Sequence, residues 1–373
     1  MLTTIHAQRL QGWYVPFLTA LGAVWAKIVN PPRGADPLPG VRKAIRIHTD
    51  AWDRAYIARG YEGGRDYVRK MYDEHWRYYL GWGNVAFELP NEPDCNSNEG
   101  LEQLRLFTLG AMYEAAILGI TLIVLNLAEG NPHDNGLSQN GKSDAECRAV
   151  ERWKWEQLAE AVYRAAEGGH ILGRHCYWRP GVEGPEGRYH ALGRLRWDIE
   201  QLVTMGVDAG KLKVLVNETG IDGGIANHPT REGWQVLTSA DAYRAEILRA
   251  EAYARTIPQV IGLCYFDFGY EDPWRTFDIG EGFAFSLVEP LKALGNAAPQ
   301  PSTPTAPAQP YLPEYVEAGV WDALGIIDKD CWWTEEGRRE REAGNAARAD
   351  EIEFSRIRWL ASRRARLLDL ATQ

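Results

Sequence analysis

Along roughly the first 290 residues, short apolar and β-branched runs alternate with stretches whose apolar positions recur at helical spacing. The runs predict strands: "LTTIHAQ" near the start, "AVWAKIVN" ending at Asn30, "RKAIRIHTD" from Arg42, and "VAFELPNEP" from Val85. Four more follow: "ITLIVLNLAEG", "HILGRHCYW", "KLKVLVNETG" and "VIGLCYFDFG". Between them "GGRDYVRKMYDEHWRYYLG", "EGLEQLRLFTLGAMYEAAILG", "AVERWKWEQLAEAVYRAA", "LGRLRWDIEQLVTMG" and "ADAYRAEILRAEAYAR" predict helices. Near-continuous apolar strands suit a parallel sheet covered on both faces, and right-handed crossovers close such a series. The expectation is a (β/α)8 TIM barrel of the α/β class over residues 1–296. The connection between the second and third strands, "PPRGADPLPG", is too short for a full helix. An open doubly wound sheet is the rival, but no Gly-rich phosphate loop follows a strand.

"FTLGAMYEAAILGITLIVLNLA" is long and apolar enough to pass for a membrane span. Glu114 interrupts it, and Gly119 divides a helical period from a β-branched run, so a helix feeding a buried strand is expected, with no transmembrane segment. Residues 297–310 form a Pro/Ala/Thr-rich linker. Residues 311–373 are expected to be mostly helical, with Phe354, Ile357, Ala361, Ala365 and Leu368 on one face and several arginines around them. Such a tail suits self-association or docking.

Composition narrows the function classes. Hydrophobic residues make up 45% and charged residues 25% of 373, an ordinary globular balance. The formal net charge of −10 argues against nucleic acid as a partner. Five cysteines without C-x-x-C spacing read as reduced thiols. The N-terminus shows neither a basic nor an apolar signal region, so cytoplasmic location or release without a classical signal is expected. Fifteen Trp and seventeen Tyr can fill a large core, and they also suit sugar rings, whose C–H faces pack on aromatic planes.

Two carboxylates carry the chemistry. Glu92 in "PNEP" follows the fourth strand and Glu218 in "VNETG" ends the seventh, both at the rim where barrel sites form. Strands four and seven face each other across a closed barrel, so the two side chains can meet. Alone, Asn-Glu-Pro is ordinary turn chemistry; the pairing makes the case. Glu88, on the same face one layer deeper, is expected to pair with Arg46 or another buried cation. His48 with Asp50, and His133 with Asp134, match no zinc spacing, and neither a metal nor a cofactor is expected.

With these motifs the chain resembles the clan A glycoside hydrolases, retaining (β/α)8 barrels in which Asn-Glu ends the fourth strand and a second Glu ends the seventh. The resemblance covers roughly residues 1–290. It implies Glu92 as general acid/base, its pKa raised by nearby negative charge, and Glu218 as nucleophile. It further implies Asn91 on the sugar 2-hydroxyl, His175 and Tyr177 of "GRHCYW" beside the nucleophile, and Arg46 or His48 near it or the sugar. Clan members carry a Trp at the end of the eighth strand. Here "CYFDFGYEDPW" stands instead, so Phe266, Phe268 or Trp274 takes that place, and Asp267 adds a carboxylate. The activity so implied is retaining hydrolysis of a β-linked oligo- or polysaccharide. The alternatives are transglycosylation by the same residues and a catalytically inactive carbohydrate-binding or structural barrel in a surface or virion assembly.

Overall fold

The computed structural model describes residues 1–296, except 136, 138, 139, 226–231, 270 and 271, together with Arg339. The chain divides into two compact units, Met1–Gln300 and Pro301–Gln373. The expected linker, the helical tail and Cys331 lie outside the described residues.

The first unit is a (β/α)8 TIM barrel. Strands β1 (Thr3–Ala7), β2 (Trp25–Val29), β3 (Arg42–Arg46), β4 (Val85–Glu88), β5 (Thr121–Leu127), β6 (Ile171–Trp178), β7 (Val214–Ile221) and β8 (Val260–Phe268) close in sequence order. All neighbouring strands pair in parallel. Around them run α1 (Tyr14–Leu21), α2 (Asp50–Ile57), α3 (Gly60–Glu74), α4 (Asn98–Leu118), α5 (Asp144–Glu167), α6 (Leu192–Thr204), α7 (Trp234–Leu237), α8 (Ala240–Ala254), α9 (Glu281–Ser286) and α10 (Val288–Asn296). Ser97, Ser143 and Ser239 cap α4, α5 and α8, satisfying N–H groups that the first helical turn leaves unpaired.

The helix expected over 63–81 stops at Glu74 and gives way to a 3₁₀ turn, Trp76–Trp82. Here tertiary packing overrides helical period. Trp76 stacks on Phe87 of β4, ring centroids 4.9 Å apart. Tyr79 and Trp82 donate to the carbonyls of Pro31 and Gly34, tying down the β2–β3 connection, in which no helix forms. Helices α1 and α2 are too short for their period to stand out in the sequence. Phe107 to Ala128 is the end of α4 leading into β5. Glu114 is buried there against Arg65 and Arg69, and no described helix is long and apolar enough to cross a membrane.

Period-two alternation builds the barrel interior in layers. Trp25, Ala44, Ala86, Ile123, Ile171, Leu215 and Cys264 form an apolar floor. One step toward the C-terminal ends, the inward positions turn polar: His6, Lys27, Glu88, Asn126 and Asn217, all buried. That polar layer carries the rim.

Candidate active site

Lys27 is fully buried, and its ammonium lies 3.1 Å from both Glu88 and Glu218. The cation paired with Glu88 is therefore Lys27, while Arg46 reaches Glu218 Oε1 at 3.2 Å. Asn217 Nδ2 donates to Glu88 and to Asn126 Oδ1, each at 3.1 Å. Asn126 Nδ2 in turn donates to the Leu89 carbonyl at 2.7 Å, and its own carbonyl accepts from the Glu92 N–H at 3.1 Å. This chain of bonds holds the segment after β4. Strand pairing ends at Glu88, earlier than the sequence predicts, because prolines at 90 and 93 supply no N–H to a ladder. Glu92 itself sits at φ 47°, a conformation that costs a non-glycine residue energy and persists when its surroundings hold it.

Glu92 and Glu218 meet. One carboxylate oxygen of each and a ring nitrogen of His175 all lie within 4.8 Å of one another. His175 Nδ1 stands 3.0 Å from Glu92 Oε1 and 3.5 Å from Glu218 Oε2. The Tyr177 hydroxyl donates to Glu218 Oε2 at 3.0 Å. The two glutamates differ in exposure: the Glu92 side chain is 45% exposed, that of Glu218 only 9%.

Their electrostatics differ less than the sequence predicts. Burial pushes the Glu218 carboxyl up, but His175, Lys27, His6 and Arg46 together hold it well below the usual carboxylate range. For Glu92 burial also pushes upward, and Glu218 adds to this, yet the hydrogen bond and charge of His175 outweigh both and hold it low. The expected rise at Glu92 is thus absent at rest. The raised carboxyl at the rim is Glu129, just past β5, pushed to about 7 by burial, then by Glu92.

The remaining predicted residues separate. Asn91 lies beside Glu92, its Oδ1 buried without a hydrogen-bond partner. Phe266 joins Tyr177, Ile225 and Phe277 in a buried apolar cluster, with Trp274 in edge contact at 5.4 Å. Phe268 points the other way, into the helix layer, where Trp13, Tyr14 and Phe17 surround it. It is a core residue: β8 slips in register against β1, Tyr265 standing opposite Ile5 and Phe268 opposite Ala7, and that irregularity breaks the alternation that would otherwise set Phe266 and Phe268 on one face. His48 is exposed beyond β3, its N–H donating to Asn30 Oδ1. Asp267 is fully buried without a side-chain hydrogen-bond partner among the described residues, and burial with Asp278 pushes it to about 8. Lys27, invisible to motif reading, was findable only as a charged residue inside an apolar strand.

A divalent cation among Glu92, His175 and Glu218 would stand beside Lys27 and Arg46, whose charges already meet Glu218. What this arrangement does offer is one buried, well-compensated carboxylate and a second, exposed one beside it, with an imidazole between.

No protein-family model and no curated protein matches this chain. Among solved structures it is similar to a GH128 (subgroup I) endo-beta-1,3-glucanase from Amycolatopsis mediterranei, with 14% identity, 79% of this chain and 100% of that chain covered, and a TM-score of 0.44. It is also similar to a GH1 beta-glucosidase from Exiguobacterium antarcticum B7, with 10% identity, coverage of 76% and 86%, and a TM-score of 0.43. A GH5-4 broad specificity endoglucanase from an uncultured bacterium gives 12% identity, coverage of 67% and 71%, and a TM-score of 0.40.

Proposed function

We propose that the chain is a retaining glycoside hydrolase acting on a β-linked oligo- or polysaccharide. The observation that carries the reading is the approach of Glu92 and Glu218 to within 4.8 Å at the barrel rim. Retaining hydrolysis uses two carboxyl groups about 5 Å apart, whereas inversion needs room for an intervening water.

In this reading Glu218 is the nucleophile. Four neighbouring basic groups keep it ionised, and the Tyr177 hydrogen bond aims it. Its oxygen bonds to the anomeric carbon as the glycosidic C–O bond breaks, and Glu92 gives a proton to the leaving oxygen. Because His175 holds Glu92 low at rest, that proton must be taken up as the sugar enters. The sugar displaces water from the exposed Glu92 side chain, and loss of solvent favours its neutral form. Once Glu218 is esterified its charge is gone, and Glu92, ionised again with His175 beside it, accepts a proton from the attacking water. Phe266 and Trp274 supply an apolar wall for a sugar ring, and the buried Asn91 Oδ1 is an acceptor still without a partner, which a hydroxyl can meet if the side chain turns outward.

The test is a screen of the purified chain against aryl β-glycosides and β-linked polysaccharides, repeated with Glu218→Gln. The variant is expected to keep its fold by circular dichroism and to lose turnover on the order of 10³-fold or more. Cleavage by Glu218→Gln at the wild-type rate would remove the nucleophile assignment.

A further inference from the structure

The segment after β5 is clamped from three sides. Arg174 NH1 donates to the Asn131 carbonyl at 2.5 Å, and Arg194 NH2 donates to that of Pro132 at 2.6 Å. Lys154 Nζ donates to the His133 carbonyl at 2.6 Å and to Asn135 Oδ1 at 2.6 Å. All three cations are buried, and Asp198 and Glu151 brace the two arginines in turn. Gly130 lies against the β6–α6 loop: a Cβ there would stand 3.0 Å from the His190 ring and 3.2 Å from the Tyr189 carbonyl. The Tyr189 side chain is exposed on that loop.

Within this anchored segment one carboxyl has no partner among the described side chains. The Glu129 carboxyl makes no hydrogen bond or ion pair with another described side chain, although Glu92, His175 and Asp222 are its charged neighbours. The residue is half-buried, so its oxygens are open to exchange water for the hydroxyls of a ligand. The position says which ligand. β5 lies next to β4, so Glu129 borders Glu92, the side of the site where the departing oxygen takes its proton.

We propose that Glu129 holds the sugar on the leaving-group side of the scissile bond, its two carboxyl oxygens meeting two sugar hydroxyls. This rests on the glycosidase reading above and assigns it a leaving-side subsite, with Glu129 as polar floor and the Tyr189–His190 loop as wall. Near neutrality the carboxyl passes between neutral and ionised forms, so it can donate to one hydroxyl and accept from the other.

The experiment compares two substrates that share a glycone, a β-linked trisaccharide and the 2,4-dinitrophenyl β-glycoside, whose leaving group brings no sugar hydroxyls. Laminari-, cello-, xylo- and manno-trioses serve as the panel. With Glu129→Ala, kcat/KM for the trisaccharide is expected to fall about tenfold or more, a loss at least fivefold larger than that for the aryl glycoside. Glu129→Gln, which keeps a donor and an acceptor, should recover most of the trisaccharide rate and also covers the case of an unstable alanine variant. Equal losses on both substrates, or none on either, would overturn the assignment while leaving the glycosidase reading intact. If the wild-type chain cleaves no member of the panel and no aryl glycoside, the glycosidase reading fails and the Glu129 assignment falls with it.

Discussion

His175 on β6 stands opposite Glu218 on β7 across a register shift between Arg174 and His175, and its Nδ1 lies 3.5 Å from Glu218 Oε2. The shift matters because strict alternation would otherwise set the two strands' inward side chains one layer apart. With it, one imidazole touches both carboxylates, and the charge state of Glu92 depends on a strand it does not neighbour.

That dependence makes Glu92 separable from Glu218 by experiment. Glu92→Ala should lower turnover of an oligosaccharide by about 10²–10⁴-fold. The first step on a 2,4-dinitrophenyl β-glycoside, whose leaving group needs no proton, should be largely spared. Added azide should restore turnover and yield the β-glycosyl azide, identified by proton NMR. An α-azide, or no azide product, would contradict retention with Glu92 as acid/base.

Lys27 is the cation beneath both Glu88 and Glu218. Lys27→Met would leave these two carboxylates facing each other with Arg46 as the nearer remaining charge, and breaking such a buried pair costs about 3–5 kcal/mol. Urea denaturation at pH 7 should show a loss of that order. Unchanged stability would mean that the Lys27 pairs contribute little.

Asp267 gives a pH-dependent prediction. Its folded pKa is raised from 3.8 to about 8, so between those values the folded chain holds a proton that the unfolded chain releases. Stability therefore declines as pH rises from about 4 to 8, with a slope approaching 1.4 kcal/mol per pH unit for a single proton. Asp267→Asn removes this slope. The melting temperature of the variant relative to wild type should climb as pH goes from 5 to 8, and a constant difference would rule the account out.

Gly173 is the inward position of β6 level with Asn126, and a Cβ there would fall 2.0 Å from Asn126 Oδ1. Gly173→Ala should displace Asn126, release the Leu89 carbonyl it holds, and loosen the segment carrying Glu92. The expected result is activity lost well in excess of stability, read from kcat/KM beside the melting curve. Full activity would mean that the Asn126 clamp does not position Glu92.

Residue order alone carried the eight strands, because buried parallel strands need unbroken apolar runs and those runs survive in any reading frame of distance. It also carried the candidate pair: Asn91-Glu92 and Asn217-Glu218 stand out as carboxylates at the ends of apolar strands. Phe268 was misplaced because "FDF" gives no sign of which phenylalanine faces the mouth. Alternation would set both on one face, and only the register shift of β8 against β1 separates them. The 3₁₀ turn at Trp76 was missed because stacking on Phe87, a long-range contact, outweighed local helical period.

What the amino-acid order determined by itself is therefore the barrel and the two acids that its rim presents. The tertiary structure decided how those acids are charged and accompanied: Lys27 under Glu218, His175 between the pair, Glu129 beside Glu92 without a side-chain partner. The physical reason is that hydrophobic period is a local property written along the chain. The charge on a carboxyl is set by whatever lies within a few ångströms of it, and closure of the barrel brings the neighbours of Glu218 from β1, β2, β3 and β6 at once.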